Sequence, residues 1–536
     1  MRHTGHVDTY ANDRKPAPEA MPDILLDPAE LDYPDQLNAA TELLDLHLVR
    51  REGERLAVLA PGGISWSYAD LHDRANRIAR VLVEELGVLP GNRVLLRAPN
   101  TPMLAACWFA VLKAGAIAVT TMPLYRHGEL RNVVDKAQVR LALCDARLRT
   151  ELDIACQGRD VRVLSFQSQE PEALEARMRG KSATFENVAT AATDVALIAF
   201  TSGTTGKPKA AMHDHRDLLA SCDTYGAHVL RIRADDIVCG SPPLAFTFGL
   251  GGLLLFPMRV GAATLLLEQA GPEALLQAIE RFGVTALFTA PIAYRTMTGM
   301  AGRYDLSSLR TCVSAGETLP KPVWEGWYEK TGLKILDGIG STEMLHIFIG
   351  SPQHEVRPGS TGRVVPGYVA EVHDEQGRLA PPGAIGRLAV KGPTGCKYLD
   401  DERQAQYVRD GWNYPGDTYR MDEDGYFWYV ARSDDMIVSA GFNVSGPEVE
   451  QTLLTHPSVA ECAVVAKRDA KHETHIVKAF VVLADGAMAG DAMAEELREF
   501  CMTQIAPFKA PREVEFVDAL PRTQTGKVQR YKLREA

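Results

Sequence analysis

The apolar positions of this chain fall into two periods, and each change of period marks an element. Between Tyr68 and Glu85, Leu71, Ala75, Ile78 and Leu82 recur at helical spacing and predict an amphipathic helix. An earlier helix is predicted from Ala39 to Val49. Asn92 to Arg97, centred on Val94-Leu95-Leu96, reads as a buried strand. A helix from Met103 to Ala114 and a strand from Ala116 to Thr121 complete a βαβ-like unit. The alternation continues with strands at Leu141 to Cys144, Val161 to Phe166, Ala263 to Glu268, Ala286 to Thr289 and Thr311 to Ser314. Helical patterns lie between them, as at Pro272 to Phe282. The expected class is α/β, with sheets of mostly parallel type.

Near Val364 the pattern changes to short strands separated by turns, as at Glu375-Gln376-Gly377, Pro381-Pro382-Gly383 and Asp422-Glu423-Asp424-Gly425. This predicts a small antiparallel β subdomain over about 364–433. From Met436 an α+β pattern begins afresh. It predicts a helix with Pro447 at its first position, strands at Ala460 to Ala466 and Ile476 to Leu483, and a helix from Asp491 to Gln504. The expected organisation is an extended arm over 1–36, rich in proline, a large domain over 37–433, and a small mobile domain over 434–536.

Composition narrows the function. At 536 residues the chain is too long for one core. A net charge of -11 without a dense basic run argues against a nucleic-acid partner. The richest apolar run, Ala105 to Val119, is broken by Lys113 and Gly115, so no membrane span is expected. The charged, proline-rich beginning does not read as a secretory signal. The nine cysteines lack CxxC spacing and read as reduced thiols of a cytoplasmic protein, without zinc or disulfides.

Four short stretches carry candidate chemistry. The apolar run Val195 to Phe200 feeds into Thr201-Ser202-Gly203-Thr204-Thr205-Gly206-Lys207-Pro208-Lys209. Glycine lets backbone N–H groups approach a phosphate, hydroxyls donate and lysine supplies charge. Only two residues separate Gly203 from Gly206 and Pro208 follows Lys207, so this is not a Walker A loop. The second stretch, Asp337-Gly338-Ile339-Gly340-Ser341-Thr342-Glu343, follows a short strand predicted over Leu333 to Leu336. Glu343 beside two hydroxyls suits a Mg²⁺ that bridges phosphate oxygens, although a solvated carboxylate on a turn has the same appearance. The third pairs Tyr414-Pro415-Gly416-Asp417 with Arg432-Ser433-Asp434-Asp435, where Asp suits ribose hydroxyls and Arg suits ribose or phosphate. The fourth, Pro521 to Lys527, places a lysine on a Thr/Gly turn, suited to a movable cation for a phosphoryl-type transition state.

Taken in this order, the four stretches resemble those of the adenylate-forming (AMP-binding) superfamily of acyl-CoA and aryl-CoA synthetases, luciferases and adenylation domains. Ala210 stands where the family usually has Gly, and Ile339 where many members have Tyr. Gly338 to Phe348 and Leu244 to Gly249 look like benzoate–CoA ligases, which more often have Tyr at the position of Phe248. His6 to Thr9 and Asn38 to Asp45 look like the 2-aminobenzoate (anthranilate)–CoA ligase branch.

The resemblance implies ATP and Mg²⁺ use, CoA as co-substrate and an aromatic acid as acyl donor, in a monomer or homodimer acting in aromatic compound degradation. Ser202, Thr204, Thr205 and Lys207 would hold the β- and γ-phosphates, Thr342 the α-phosphate and Glu343 the metal. Asp417 would hold ribose, Arg432 ribose or phosphate, and Gly316, Glu317 and Asp337 would surround adenine. Lys527 would serve adenylation. Phe246, Thr247, Phe248, Ala315, Gly340, His346 and Ile347 would form the acyl pocket. Asp434 would be the hinge, and Ala440 and Gly441 would line the CoA tunnel. Lys467, Arg468 and Lys471 are candidate cations for the CoA phosphates. An enzyme that loads an acid onto a carrier protein, and a nucleotide-binding protein without catalysis, stay open as alternatives.

Overall fold

The computed structural model describes residues 4–27, 29–201, 208–432, 437–439, 442–469, 474–505, 507–522 and 527–535. Among these the strands form four sheets. One runs in the order Arg162–Phe166, Leu141–Asp145, Arg93–Arg97, Ile117–Thr121, Val195–Thr201 and Lys209–Asp214. Its pairs are parallel except the last, which is antiparallel. The central strands are buried along their whole length, which is why they read as continuous apolar runs.

The second sheet is parallel through its middle, with Leu56–Ala60, Ala263–Leu265, Ile237–Gly240, Ala286–Thr289, Thr311–Ser314 and Ile335–Gly340 in adjacent positions. Antiparallel strands close both edges: Ile64–Ser67 on one side, Ile347–Gly350 and Arg363–Val364 on the other. The third sheet is antiparallel and built from Val369–His373, Ile385–Lys391, Val408–Arg409, Trp412–Asn413, Asp417–Met421 and Phe427–Arg432. The fourth joins Phe442–Val444, Ile437–Ser439, Thr474–Leu483, Val459–Asp469 and Glu513–Phe516. The chain is thus a large α/β unit of parallel sheets followed by a small α+β unit.

The amphipathic helix begins at Tyr68, where Ser67 Oγ accepts the Asp70 N–H and Asp70 Oδ2 accepts the Ser67 N–H. It buries Leu71, Ala75 and Ile78, then widens into a π-helical turn over Val81–Glu85. Two predicted strands need correction. The strand expected to Glu268 ends at Leu265, after which Leu266 donates a single bond to the Leu59 carbonyl. The strand expected over Leu333 to Leu336 starts at Ile335 and runs on to Gly340, so Asp337 and Ile339 belong to it. Gly338 and Gly340 permit this: a Cβ at Gly340 would lie 2.6 Å from the His346 carbonyl oxygen.

The N-terminal arm is pinned along its course. Thr4 donates to Asp194 at 2.5 Å, Arg93 donates to Asp8, and Lys15 pairs with Asp214 at 3.0 Å. The nine cysteines are free thiols and all but Cys462 are buried. No helix among the described residues is long and apolar enough to cross a membrane.

Candidate active site

The antiparallel pair Val195–Thr201 and Lys209–Asp214 carries the Ser/Thr/Gly loop at its tip, with Thr201 opposite Lys209. Ser202, Gly203, Thr204, Thr205, Gly206 and Lys207 lie outside the described residues, as do Asp434, Ala440 and Gly441. Past the loop, the Lys209 ammonium sits 5.1 Å over the ring of Tyr398. The Tyr398 hydroxyl donates to Glu343 Oε1 at 2.5 Å. One tyrosine therefore joins the strand leaving the loop to the carboxylate of the second motif.

Glu343 is buried in a one-turn 3₁₀ helix, Thr342–Met344. Ser341 caps that turn by accepting the Met344 N–H, and its hydroxyl also bonds the Tyr407 hydroxyl at 2.8 Å. From behind, His213 Nε2–H donates to the Thr342 carbonyl at 2.7 Å. Burial lowers the His213 pKa to about 4, so the neutral ring keeps its proton on Nε2. Beside it Lys397 bridges Asp214 at 2.7 Å and Asp217 at 2.6 Å, a buried charge cluster that also receives Lys15 of the arm. After the turn, Leu345 takes a φ of 69°, rare for a branched side chain. That residue turns the chain back so that Ile347–Gly350 pairs with Ile335–Gly340.

Asp417 and Arg432 are partners across neighbouring strands, with Arg432 Nη1 3.4 Å from both Asp417 oxygens. Gly416 has a φ of 84°, and a Cβ there would lie 3.1 Å from Arg432 Nη2. Lys527 arrives from the small unit. Its side chain keeps access to solvent, yet the surrounding protein desolvates the ammonium and lowers its pKa. Arg432 pushes the same way, and Glu317, Asp417 and Glu343 oppose. Residues from four separate stretches thus act on one lysine.

Gly316, with a φ of 95°, turns the chain outward after Thr311–Ser314, and Glu317 follows half-buried. Burial raises the Glu317 pKa against the pull of Arg522, Lys527 and Arg530. Asp337 lies across from Ser314. Its Oδ1 is buried and has no hydrogen-bond partner among the described residues. Burial raises its pKa to about 8, against a bond from the Gly338 N–H.

Of the predicted acyl residues, Phe248, Gly340 and Ile347 lie beside His346. Its Nε2–H donates to the Phe248 carbonyl at 3.3 Å, and its ring lies 5.6 Å from that of Phe248 and 4.6 Å from that of Phe256. Burial lowers the His346 pKa to about 3, so the ring is neutral. Gly340 is paired with Ile347 across the strands, and Ala315 and Ile347 are buried in the same cluster. Thr247 opens the helix Thr247–Leu250, and Phe246 precedes it half-buried, its carbonyl accepting the Leu250 N–H. Tyr225, 5.4 Å from His346, completes the aromatic wall.

Sequence reasoning did not find Tyr398, Tyr407, His213 or Tyr225. Each reaches the site across a sheet or from a π-helical segment, and none belongs to a motif. Of the cations suggested for CoA, Lys467 is engaged by Glu513 at 2.7 Å, and Lys471 lies outside the described residues.

Among the described residues no group of three or more His, Cys, Asp or Glu is placed to hold a metal ion. Mg²⁺ asks for less, because one or two carboxylates with phosphate oxygens and water complete its shell. The Glu343 carboxylate, buried and fixed at Oε1 by Tyr398, suits that role.

Residues 47–397 match the family model described as AMP-binding enzyme, and residues 448–527 match that of the AMP-binding enzyme C-terminal domain. The chain is 34% identical to a benzoate–CoA ligase of Thauera aromatica, covering 95% of this chain and 98% of that one. It resembles the crystal structure of the anthranilate CoA ligase AuaEII in complex with anthranoyl-AMP, with a TM-score of 0.89 and 33% identity, covering 94% of this chain and 98% of that chain. It also resembles a benzoate CoA ligase of Burkholderia xenovorans LB400, with a TM-score of 0.86 and 32% identity over 93% of this chain and 100% of that one.

Proposed function

The chain belongs to the AMP-binding enzyme family and is an acid–thiol ligase, and on that premise we propose that it is an aryl-CoA ligase acting on 2-aminobenzoate or benzoate. In the first half-reaction an aryl carboxylate oxygen attacks the α-phosphorus of ATP and pyrophosphate leaves. In the second, the CoA sulfur attacks the acyl carbon, AMP leaves, and the thiol proton is released.

The observation that carries this reading is the field on Lys527. Glu317, Asp417, Glu343 and Arg432 all act on its ammonium, which supports a lysine that serves ribose, phosphate and carboxylate together. Two unit charges about 4 Å apart interact by roughly 4 kcal/mol at an effective dielectric near 20. A lysine so placed draws the anionic carboxylate toward the anionic α-phosphate. Thr342 faces the α-phosphate, and Asp417 with Arg432 holds the ribose side. Gly316, Glu317 and Asp337 surround adenine, whose ring nitrogens and amino group suit the orphaned Asp337 oxygen. The Thr201 to Lys207 loop holds the β- and γ-phosphates. Glu343 would hold Mg²⁺, which when bound neutralises phosphate charge.

The acyl pocket supports an aromatic acid. Phe248, His346 and Ile347 would give it apolar or uncharged walls, and the small residues Ala315 and Gly340 suit a flat ring. Thr247 lies at its rim. An α-amino acid would bring an ammonium group, for which these residues offer no carboxylate, whereas the amine of 2-aminobenzoate is uncharged at neutral pH. The small unit, hinged at Asp434, then turns to withdraw Lys527 and bring Ala440 and Gly441 to the CoA channel.

A pyrophosphate-release panel tests the reading, with benzoate, 2-aminobenzoate, hydroxybenzoates, phenylacetate and a medium-chain fatty acid. Release confined to aromatic acids, with AMP and an aroyl-CoA as products, is the expected result. ADP as product, or transfer to a carrier protein in preference to CoA, would overturn it.

A further inference from the structure

A chain of alternating charges crosses from the large unit to the small one beside Lys527. Arg295 lies on the helix Pro291–Thr298, which follows the strand Ala286–Thr289 of the large unit. Its Nη2 is 2.7 Å from Glu461 Oε1, and its Nη1 donates to the Ala460 carbonyl. Glu461 belongs to Val459–Asp469 of the small unit, and its Oε2 accepts from Arg522 Nη2 at 2.8 Å. Arg522 then returns to the large unit, with Nη1 3.5 Å from Glu317 Oε1. Burial alone would raise the Glu461 pKa, but Arg522 and Arg295 outweigh it and hold the carboxylate ionised.

The position of Arg522 gives this chain its meaning. Arg522 bridges Val528 in an antiparallel contact, and Gln529 donates to the Pro521 carbonyl at 2.8 Å. These contacts tie Arg522 to Val528, the residue next to Lys527, so a force fixing Arg522 also acts on the lysine. Arg522 is held by a carboxylate from each unit. Glu461 in turn is held to the large unit by Arg295, which touches none of the proposed substrate-binding residues in the described contacts.

We propose that Arg295 and Glu461 are positioning residues for the first half-reaction, acting through Arg522 to dock the turn of Lys527 over the ATP site. The inference rests on the proposed role of Lys527. It assigns the bridge to one of the two arrangements of the small unit: the link is made when Lys527 is in the cleft, and must open when the unit turns away. An isolated exposed ion pair is worth little, but here two links cross between units, Arg295 to Glu461 and Arg522 to Glu317, and the Arg522–Glu461 pair within the small unit joins them.

The test uses Arg295→Gln, Arg295→Lys and Glu461→Gln in the full chain. Each half-reaction is measured alone: acid-dependent ATP–pyrophosphate exchange, and thioester formation from supplied aroyl-AMP and CoA. The Gln variants should lower kcat for exchange by about 2- to 5-fold, with KM for ATP and acid nearly unchanged and thioester formation retained. Arg295→Lys, which keeps the charge, should recover most of the loss. Equal damage to both half-reactions would mark a structural role only, and unchanged exchange in both Gln variants would remove the bridge from catalysis; either result overturns the inference. A wild-type chain inactive toward every acid would instead overturn the aryl-CoA ligase reading on which the inference rests.

Discussion

The Tyr398 hydroxyl donates to Glu343 Oε1 at 2.5 Å, and the same ring lies under the Lys209 ammonium. Burial, with the Glu343 carboxylate beside it, raises the Tyr398 pKa well beyond that of a free phenol, so the proton stays on the tyrosine. A hydrogen bond to a buried charged group is worth about 1.5–3 kcal/mol. Tyr398→Phe should therefore reduce the rate of the first half-reaction by roughly 10- to 100-fold. The loss should shrink as Mg²⁺ is raised, because the substitution loosens the carboxylate proposed to hold the metal and removes no proposed substrate contact. A Mg²⁺ titration of pyrophosphate release checks this; a loss independent of Mg²⁺ would contradict the link from Tyr398 to the metal.

Lys527 gives the sharpest separation of the two half-reactions. On the proposed assignment, removing the ammonium from a field set by Glu317, Asp417 and Glu343 takes away a charge needed at the α-phosphate. Lys527→Ala should slow adenylation on the order of 10²-fold or more. Thioester formation from supplied aroyl-AMP should survive, since the lysine has left the cleft by then. Single-turnover assays of each half show the split directly. Equal loss in both would assign Lys527 to something other than adenylation.

The two residues at the ends of the proposed reaction, Glu343 and Lys527, were legible in the sequence because each sits in a short run of unusual composition. Their supports were not. Tyr398 is 55 residues from Glu343, Tyr407 is 66 from Ser341, and His213 is 129 from Thr342. Periodicity reports which face of an element is buried, but not which distant side chain meets it; that depends on sheet order and register. The strand Ile335–Gly340 was read short for a related reason. Gly338 and Gly340 look like a turn, whereas their missing Cβ atoms serve close approach by Ile347 and by the His346 backbone. The α/β class, the Tyr68 helix and the helix Asp491–Gln504 were all readable, because each buries one continuous face or run. The π-helical turns left no periodic signal of their own.

Asp337 makes stability depend on pH. Its folded pKa is raised to about 8, so between the unfolded carboxylate value and about 8 the folded chain binds a proton that the unfolded chain has lost. The contribution of the protonated group is complete at low pH and falls as pH rises through that window, by at most about 1.4 kcal/mol per pH unit. Asp337→Asn cannot ionise and escapes this fall. In thermal unfolding without nucleotide, the variant's advantage in Tm over the wild type should grow from pH 5.5 to about 8 and level off above it. A difference that stays flat across this range would show that Asp337 ionises freely in the folded chain.

Gly251 packs against His346, a residue of the proposed acyl pocket. A Cβ at this position would lie 2.4 Å from His346 Cδ2, 2.9 Å from His346 Nε2 and 3.1 Å from Phe256 Cζ. All three atoms belong to rings packed in the aromatic cluster, so the methyl group of Gly251→Ala is accommodated only if the imidazole moves. The ring's bond to the Phe248 carbonyl is then disturbed, and with it the proposed wall of the acyl pocket. Overpacking of this kind costs about 1–3 kcal/mol of stability, which a folded chain of this size tolerates. A change of about one methylene in a hydrophobic pocket is worth roughly 10- to 200-fold in discrimination. Gly251→Ala should accordingly lower kcat/KM for 2-aminobenzoate and benzoate by at least about 10-fold, and more for ring-substituted acids, while KM for ATP stays within about twofold. The measurement is steady-state kinetics with each acid and with ATP varied in turn. A variant that loses ATP affinity as much as acid affinity would place His346 outside the acyl pocket.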